Sequence, residues 1–413
     1  MANAWMHQVE VAVIGGGQAG LATSRELTGA GVDHLVLERA RVGETWRGHW
    51  DSFSLVTPNW SVQLPHGRYD GPDPDGFMAR DEIVGYLERY AAGFRAPVKE
   101  GVEVRSMERS RAGAFVLHTS SGDVPADEVV IATGAYQRPH RPAAAATLPT
   151  DLLQIDVADY RNEHALPPGR VLIVGSGQSG CQIAEELHEA GREVFLACGK
   201  APWLPRRIGG HDLLWWALET GFLDVSAASL PSPVAKLGAN VLASGKRGGH
   251  DLHLRTLRAQ GVTLTGHFLG ATGRRARFAG DLGEAIAWGD ERHRQFMDLV
   301  RKLVVDRGLE PPEIDEPTPF DPRAPEQLDL AGFGAVVFAG GFRPDYRSLL
   351  PGPGALDELG FPLQQDGAST AIPGLYFVGV HFMRKRKSAT LVGVGEDAAI
   401  VARRIAVRRR AAA

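Results

Sequence analysis

The chain has 413 residues, of which 44% are hydrophobic and 23% are charged, so neither a disordered nor a fibrous protein is expected. At roughly 150 residues per domain, this length predicts two to three domains. The 45 basic and 49 acidic residues give a net charge of −4, which argues against nucleic acid as a partner. Two cysteines exclude a disulfide framework, no apolar run approaches the ~18 residues of a membrane span, and residues 1–7 lack a signal-peptide pattern. We therefore expect a soluble cytoplasmic protein without a membrane partner.

The N-terminal region predicts a strand, a glycine turn, a helix and a second strand. An apolar run covers Val9–Ile14, residues 21–27 follow as a helix, and residues 34–37 are apolar again. This order within about 30 residues is that of the βαβ unit of a parallel sheet. The 50 glycines, about 12% of the chain against a usual ~7%, favour many tight turns of the kind that nucleotide-binding sheets need.

The first glycine turn has the GxGxxG pattern of dinucleotide-binding proteins. Gly15 permits the tight turn, Gly17 lets the backbone approach a pyrophosphate, and Gly20 lets the helix pack on the sheet. Glu38 ends the second strand, where a carboxylate accepts ribose hydroxyls. A GxGxxG motif alone is weak evidence, but the strand, the helix and the carboxylate favour a nucleotide site over a glycine-rich turn with a surface glutamate.

A second unit repeats the first 160 residues later. An apolar run at residues 171–174 leads into Gly175, Gly177 and Gly180, followed by a helix and another apolar run. Two such units imply two nucleotides, because one dinucleotide occupies one crevice. The alternative is a degenerate duplicate that binds nothing. We predict an α/β fold with two Rossmann-like dinucleotide-binding domains, and a flavin domain beside a nicotinamide domain is the arrangement that would make chemical use of both.

Five further segments resemble those of the flavin-containing monooxygenases, in particular the bacterial branch related to plant indole-pyruvate monooxygenases. They run nearly from end to end of the chain, at residues 41–47, 55–60, 131–134, 339–346 and 391–398. The resemblance implies an FAD domain at residues 1–143 and 331–413, with an NADPH domain and a substrate-shaping insertion at residues 144–330. It also implies a small organic substrate and O₂ as partners and leaves a homo-oligomer open.

The resemblance implies one class of chemistry. NADPH reduces FAD, reduced FAD takes up O₂ at C4a, and the resulting (hydro)peroxyflavin oxygenates nitrogen, sulfur or a ketone of the substrate. The remaining cofactor contacts that it implies are Gln18, Ala19, Arg39, Gly43, Thr45, Trp46, Arg47, Val104, Ala132, Thr133, Gly134, Gln178, Ser179, Gly341, Leu391 and Val392. No metal site is expected, because the histidines and cysteines lack ligand spacing.

Two departures from the family pattern concern the predicted domain junction. The family fingerprint should place a histidine four residues before Tyr160, but that position holds Asp156, and Thr150 and Leu152 replace its phenylalanine and glycine. Gly340 replaces the threonine of the second alanine–threonine–glycine segment. Both departures put the oxygenation chemistry in doubt rather than the fold.

Asn59 is the candidate for a polar catalytic group near the flavin, with Thr57 beside it. The alternative for Asn59 is a turn residue that follows Pro58. His211, with Trp215 and Trp216, could line a substrate cavity, although a packed aromatic cluster is the better interpretation.

The basic run at residues 384–387 has two interpretations. A run of charges is usually a solvated face, and the alternative is attraction of an anionic substrate or of nucleotide phosphates.

The second unit lacks the carboxylate of the first, since the position that matches Glu38 holds Cys198. This absence leaves room for a 2′-phosphate, and Lys200 with Arg206 or Arg207 could bind it, so we predict NADPH rather than NADH. The alternative for these cations is a solvated loop. The rival enzyme class is an NADPH-dependent flavin reductase without oxygen insertion, and the third interpretation is a redox-sensing or binding protein. A dithiol reductase is disfavoured because no CxxxxC pair exists.

Overall fold

The computed structural model describes residues 8–110, 113–350 and 354–412. Residues 1–7, on which the expectation about a signal peptide rests, lie outside these ranges. Within the described ranges, no helix combines the length and apolar character that crossing a membrane requires.

Residues 8–139 contain the first βαβ unit and its neighbours. The elements are β1 (Val9–Ile14), α1 (Gln18–Gly29), β2 (His34–Leu37), α2 (Glu44–Arg47), β3 (Gln63–Leu64), β4 (Gly67–Arg68), α3 (Arg80–Gly93), β5 (Val98–Lys99), β6 (Val104–Arg109), β7 (Phe115–Thr119), β8 (Gly122–Ile131) and β9 (Arg138–Pro139).

Residues 140–338 contain the second unit and the insertion. The elements are β10 (Leu153–Asp156), β11 (Arg170–Val174), α4 (Gln178–Glu189), β12 (Val194–Ala197), β13 (Arg207–Ile208), β14 (His211–Asp212), α5 (Leu213–Glu219), α6 (Leu254–Gln260), β15 (Thr263–Thr265), β16 (Phe268–Thr272), β17 (Arg275–Phe278), α7 (Leu282–Arg307), β18 (Gln327–Asp329) and β19 (Phe333–Phe338).

The remaining elements are β20 (Phe342–Arg343), β21 (Gln364–Gln365), β22 (Ala368–Ser369), β23 (Leu375–Phe377) and α8 (Val394–Ala412).

The first sheet combines strands from both ends of the chain. Its order is β21-β22-β23-β8-β1-β2-β5, and β23, β8, β1, β2 and β5 run parallel. The first half of β8 also pairs with the β6–β7 hairpin. Val11, Ala12 and Val13 of β1 are fully buried, as in parallel sheets that are covered on both faces. Helices α1 and α8 pack against each other.

The second sheet is entirely parallel, in the order β10-β19-β11-β12-β15. Because β19 fills the place between β10 and β11, this sheet extends to residue 338, eight residues past the boundary predicted at 330. A strand whose six residues are all buried needs neighbours on both sides, and β10 and β11 provide them. The predicted fold class, two Rossmann-like units with the second inserted in the first, is confirmed.

Two crossings join the sheets, and they pair with each other. The chain leaves the first sheet after β8 through β9 and returns after β19 through β20. β9 and β20 are antiparallel, with Pro139 opposite Phe342, and the N–H of His140 donates to the carbonyl of Gly341 at 2.9 Å. We call residues 133–141 and 340–343 the connector. The carboxyl ends of β8 and β19 therefore meet at one joint.

Candidate nucleotide sites

The three glycines of the first turn have separate structural reasons. Gly15 has φ of 111°, its N–H donates to the carbonyl of Leu37 at 2.9 Å, and a Cβ there would lie 2.6 Å from the carbonyl oxygen of Ala132. A Cβ on Gly20 would overlap the carbonyl of Gly15. A Cβ on Gly17 would meet no atom within 4 Å. Gly17 thus faces open space, which is where the sequence predicts a pyrophosphate.

Glu38 faces this turn from the end of β2. Its side chain is buried, and its carboxylate accepts from the N–H groups of Gly16 at 2.6 Å and Ala40 at 2.9 Å. The carboxylate therefore lies at the carboxyl edge of the sheet, where the sequence predicts ribose contacts. Residues 15–20 with Glu38 form what we call the first cradle.

The second turn repeats this geometry almost bond for bond. Gly175 has φ of 113°, its N–H donates to the carbonyl of Ala197 at 3.0 Å, and a Cβ there would lie 2.5 Å from the carbonyl oxygen of Ala339. A Cβ on Gly180 would overlap the carbonyl of Gly175, and one on Gly177 would meet only Ala239, at 3.9 Å. Residues 175–180 with residues 198–200 form the second cradle.

The strand register confirms which residue of the second cradle matches Glu38. Ile14 pairs with Leu37 in the first sheet and Val174 pairs with Ala197 in the second, so Glu38 and Cys198 occupy the same place. Burial raises the pKa of the Cys198 thiol to about 12, so this position carries no negative charge at neutral pH. The second cradle therefore lacks the charge that would repel a 2′-phosphate.

The three predicted phosphate-binding cations differ in exposure. Lys200 and Arg207 are exposed. Arg206 is buried; its guanidinium pairs with Asp212, at 2.9 Å from Nε, and donates to the carbonyl of Val56 at 2.7 Å. These bonds engage all three nitrogens of its guanidinium, so Arg206 is the least available of the three predicted cations, and its role stays a prediction.

Gln18 links the first cradle to two other segments. Its side chain accepts from the indole N–H of Trp46 at 2.8 Å and donates to the carbonyl of Ala389 at 2.9 Å. Gly43 donates from its N–H to Gly16 at 3.2 Å. The segment at residues 43–47 thus lies against the glycine turn, as the resemblance implies.

The other residues predicted from the resemblance are spread over this edge and beyond it. Ala132 bonds to β1 through its N–H, Thr133 accepts from Gln137, and the carbonyl of Gly134 accepts from Tyr346. Arg47 pairs with Glu88, whereas Arg39 and Thr45 are exposed. Ala19 is buried on α1, and Ser179 of α4 is half-buried. Val104 is buried in the apolar cluster under β6 and β7, and Gly341 lies in the connector.

Asn59 uses both ends of its carboxamide within the protein. The amide donates to the carbonyl of Asp73 at 2.9 Å, and the oxygen accepts from the N–H of Met78 at 2.7 Å. The turn that carries Asn59 lies beside Leu391, because Gln63 donates from its N–H to the Leu391 carbonyl at 3.1 Å. These bonds favour the turn interpretation for Asn59, and its catalytic role, like that of the half-buried Thr57, stays a prediction.

Asp156, at the position of the missing histidine, binds the connector. Its carboxylate accepts two hydrogen bonds from the guanidinium of Arg141, at 2.7 and 3.0 Å. Tyr160, the retained aromatic, donates to Glu186 of α4 at 2.8 Å. The departure at Gly340 also has a steric reason, since a Cβ there would lie 2.6 Å from the His140 carbonyl oxygen.

Sequence reasoning missed a group of rings at the joint. Tyr136 and Phe342, from the two crossings of the connector, lie 5.5 Å apart, and His381, four residues after β23, lies 6.2 Å from Tyr136. The signal was available, because each of these residues follows a buried strand by a few positions. By contrast, His211 stacks on Trp215 with ring centroids 4.1 Å apart, which favours the packed cluster over a cavity wall.

Comparison with known proteins places the same two units in other chains. The profile described as pyridine nucleotide-disulphide oxidoreductase matches residues 12–208. An uncharacterized CzcO-like oxidoreductase of Geobacillus kaustophilus is 32% identical over 395 residues, 95% of this chain and 97% of that protein. Indole-3-pyruvate monooxygenase YUCCA1 of Oryza sativa subsp. japonica is 28% identical over 227 residues, 49% of this chain and 56% of that protein.

Among solved structures, a flavin-containing monooxygenase from Stenotrophomonas maltophilia has the same fold, with a TM-score of 0.69 at 20% identity. The match covers 98% of this chain and 100% of that chain. The profile spans both cradles, and the Geobacillus protein shares the organisation over nearly its whole length.

Proposed function

The chain belongs to the family of the CzcO-like oxidoreductases. From this premise we propose that it oxygenates a small organic molecule with NADPH and O₂, a proposal that the likeness to the flavin-containing monooxygenase family supports. FAD and NADPH are the cofactors of this family, and the predicted pair is confirmed at that level. The site of oxygenation that we propose is a nitrogen, a sulfur or a ketone carbon of the substrate.

One observation carries the proposal: both cradles lie next to the joint where the two sheets meet. Gly15 packs on the carbonyl of Ala132 and Gly175 packs on that of Ala339, and each of these alanines precedes one crossing of the connector. Two nucleotides bound at these turns would therefore both lie close to this joint. Such an arrangement suits hydride transfer between a nicotinamide and a flavin.

The residues of the first cradle fit FAD. Gly17 leaves the backbone open to the pyrophosphate, Glu38 is placed for the ribose hydroxyls, and Gln18 holds the segments around Trp46 and Ala389 against the turn. When bound, the flavin accepts hydride from NADPH and supplies the reduced form that activates O₂.

The residues of the second cradle fit NADPH. Cys198 presents no negative charge, and the exposed Lys200 and Arg207 are candidates for the 2′-phosphate. The ion pair between Asp156 and Arg141 fixes the connector, which helps to exclude water from the joint.

The test is NADPH oxidation coupled to oxygen uptake, with ¹⁸O₂ and mass spectrometry of a metabolite mixture. The proposal requires a product that gains one labelled oxygen atom and an NADPH-to-O₂ ratio near one. NADPH oxidation that continues without O₂ and reduces an added acceptor would instead identify a reductase.

An NADPH-dependent reductase without oxygen insertion is the second candidate, because the profile that matches residues 12–208 also describes disulphide oxidoreductases. Its dithiol form is disfavoured. Cys181 and Cys198 are free and buried, and burial raises the pKa of both thiols.

A further inference from the structure

Three of the four cations in the run at residues 384–387 are paired with carboxylates. Arg384 binds Asp397 at 3.0 Å, Lys385 binds Asp224 at 2.7 Å, and Lys387 binds Asp224 at 3.2 Å. The solvated-face interpretation of this run is therefore too simple, because these side chains form ion pairs between segments.

Arg386 differs from its three neighbours. Its guanidinium lies between two aromatic rings, 4.2 Å from the centroid of Phe222 and 5.1 Å from that of Phe382. Its Nε is inaccessible to solvent, and the side chain makes no hydrogen bond or ion pair to any residue in the described ranges. The terminal nitrogens of this half-buried guanidinium also have no partner among the described residues, but unlike Nε they reach solvent, so their donors are available to an anion.

Arg386 lies in a seam between the first unit and the insertion. Its N–H donates to the carbonyl of Val225 at 3.0 Å, and the N–H of Ala227 donates to the carbonyl of Arg384 at 2.9 Å. Residues 222–227 of the insertion thus align with residues 384–387, which lie between β23 and α8. The insertion is the part of the chain that the sequence assigns to shaping the substrate pocket.

A row of rings leads from the connector to this guanidinium. Phe382 contacts His381 with ring centroids 5.0 Å apart. His381 in turn contacts Tyr136, and Tyr136 contacts Phe342. Tyr136 is 52% exposed, so the row has an open side. Burial and the nearby Arg386 lower the pKa of His381 to about 4, so its imidazole is neutral at pH 7. We call Tyr136, Phe342, His381 and Phe382 the aromatic row.

From this geometry we propose that Arg386 binds the carboxylate of an apolar organic acid whose body lies along the aromatic row, and that this acid is the substrate. A guanidinium binds a carboxylate through two parallel hydrogen bonds, and one free cation matches one negative charge. The identification of the acid as substrate rests on the proposed function, whereas the binding of the acid does not.

The experiment measures binding without turnover. FAD-loaded protein is titrated by calorimetry with phenylacetate, 3-phenylpropanoate and 4-phenylbutanoate and with the three corresponding amides. At least one acid is expected to bind about 10-fold or more tightly than its amide, because a hydrogen bond between two charged groups is stronger than one to a neutral amide. R386M should abolish this preference, and R386K should keep part of it.

K385M is the matched control, since it removes one positive charge from the adjacent residue, whose side chain pairs with Asp224 and Glu396 instead. It should keep the preference for the acid. No preference in the unmutated protein, or a preference that persists in R386M, would overturn the proposal.

Titration of the same variants with NADP⁺ tests the other source of an anion. If R386M weakens NADP⁺ binding and leaves the acids unaffected, Arg386 serves the coenzyme phosphates and the proposal is wrong. Oxygen uptake with NADPH is recorded separately, so failure of the proposed oxygenation and failure of acid binding are distinguishable.

Discussion

Gly17 and Gly177 occupy equivalent places in the two cradles, and each has open space where a side chain would project. A valine at residue 17 would occupy the space of a pyrophosphate without disturbing the strand or the helix. We expect G17V to lose its FAD, read from the visible spectrum of the purified protein.

G177V is the matched control for this prediction. The same change in the second cradle should leave the flavin in place and raise the KM for NADPH. Full flavin occupancy in G17V, or flavin loss in G177V alone, would contradict the assignment of the cradles.

Lys200 and Arg207 decide the choice of coenzyme, if they bind the 2′-phosphate. The double variant K200A/R207A should raise the KM for NADPH about 10-fold or more and change that for NADH little, because NADH lacks the phosphate. Steady-state kinetics with both coenzymes test this, and R301A serves as a control for removing an exposed arginine on α7. Equal use of the two coenzymes by the unmutated protein would rule out the preference.

The glycines and Glu38 were predictable because their roles depend only on local backbone geometry. Arg206 and Arg207 were not distinguishable, although one is buried and the other exposed. Neighbouring residues of an extended segment point in opposite directions, and only the position of Asp212, six residues on, decides which arginine is buried.

At the scale of elements, the ion pair between Asp156 and Arg141 links β10 to the connector. D156A should loosen this link and raise the rate of hydrogen peroxide formation in the absence of substrate, about two- to fivefold, since partly exposed pairs contribute up to about 1 kcal/mol. Peroxide and NADPH are measured together in the FAD-loaded protein.

D151A provides the comparison, because Asp151 pairs with Arg274 on the surface just before β10. An equal rise in both variants would indicate a general loss of stability rather than a role of the connector. An unchanged rate of peroxide formation in D156A would mean that the pair does not protect the joint.

The order of strands was less predictable than their existence. Residues 336–339 carry a clear buried-strand pattern, yet nothing in that pattern says which of two parallel sheets the strand joins, because both sheets bury such strands on both faces. The boundary predicted at 330 therefore stays a prediction. The insertion was equally ambiguous, since its short strands β16, β17 and β18 carry few residues each.

For the whole molecule, three rings in mutual contact make stability depend on pH. Trp203 lies between His253 and His293, with 4.4 Å between its centroid and each of theirs. His293 is fully buried, and neither of its ring nitrogens has a hydrogen-bond partner among the described residues. Burial lowers the pKa of both histidines, that of His253 to about 4. Below the unfolded pKa of about 6.5 the unfolded chain binds more protons, so the free energy of unfolding falls as pH decreases toward 4.

H293L should therefore unfold in acid at a lower pH than the parent. At pH 7.5 its free energy of unfolding should lie within about 1.5 kcal/mol of the parent value, because the two side chains have similar volumes. Acid titration followed by circular dichroism measures the midpoint. The exposed H164L is the control, and a midpoint for H293L that does not move would exclude His293 as a source of the acid sensitivity.

Because β9 pairs with β20, the inserted unit begins and ends at adjacent positions on the first unit. Pro139 and Phe342 are paired residues on these two strands, so the chain leaves and re-enters the first unit at adjacent positions. The pairing therefore does not depend on the length of the chain between them. The inserted unit is therefore suited to exchange as a whole between related chains. Swapping residues 140–341 with the matching stretch of a relative would transplant coenzyme choice and the insertion side of the acid site together, and leave Arg386 and the flavin cradle with the host.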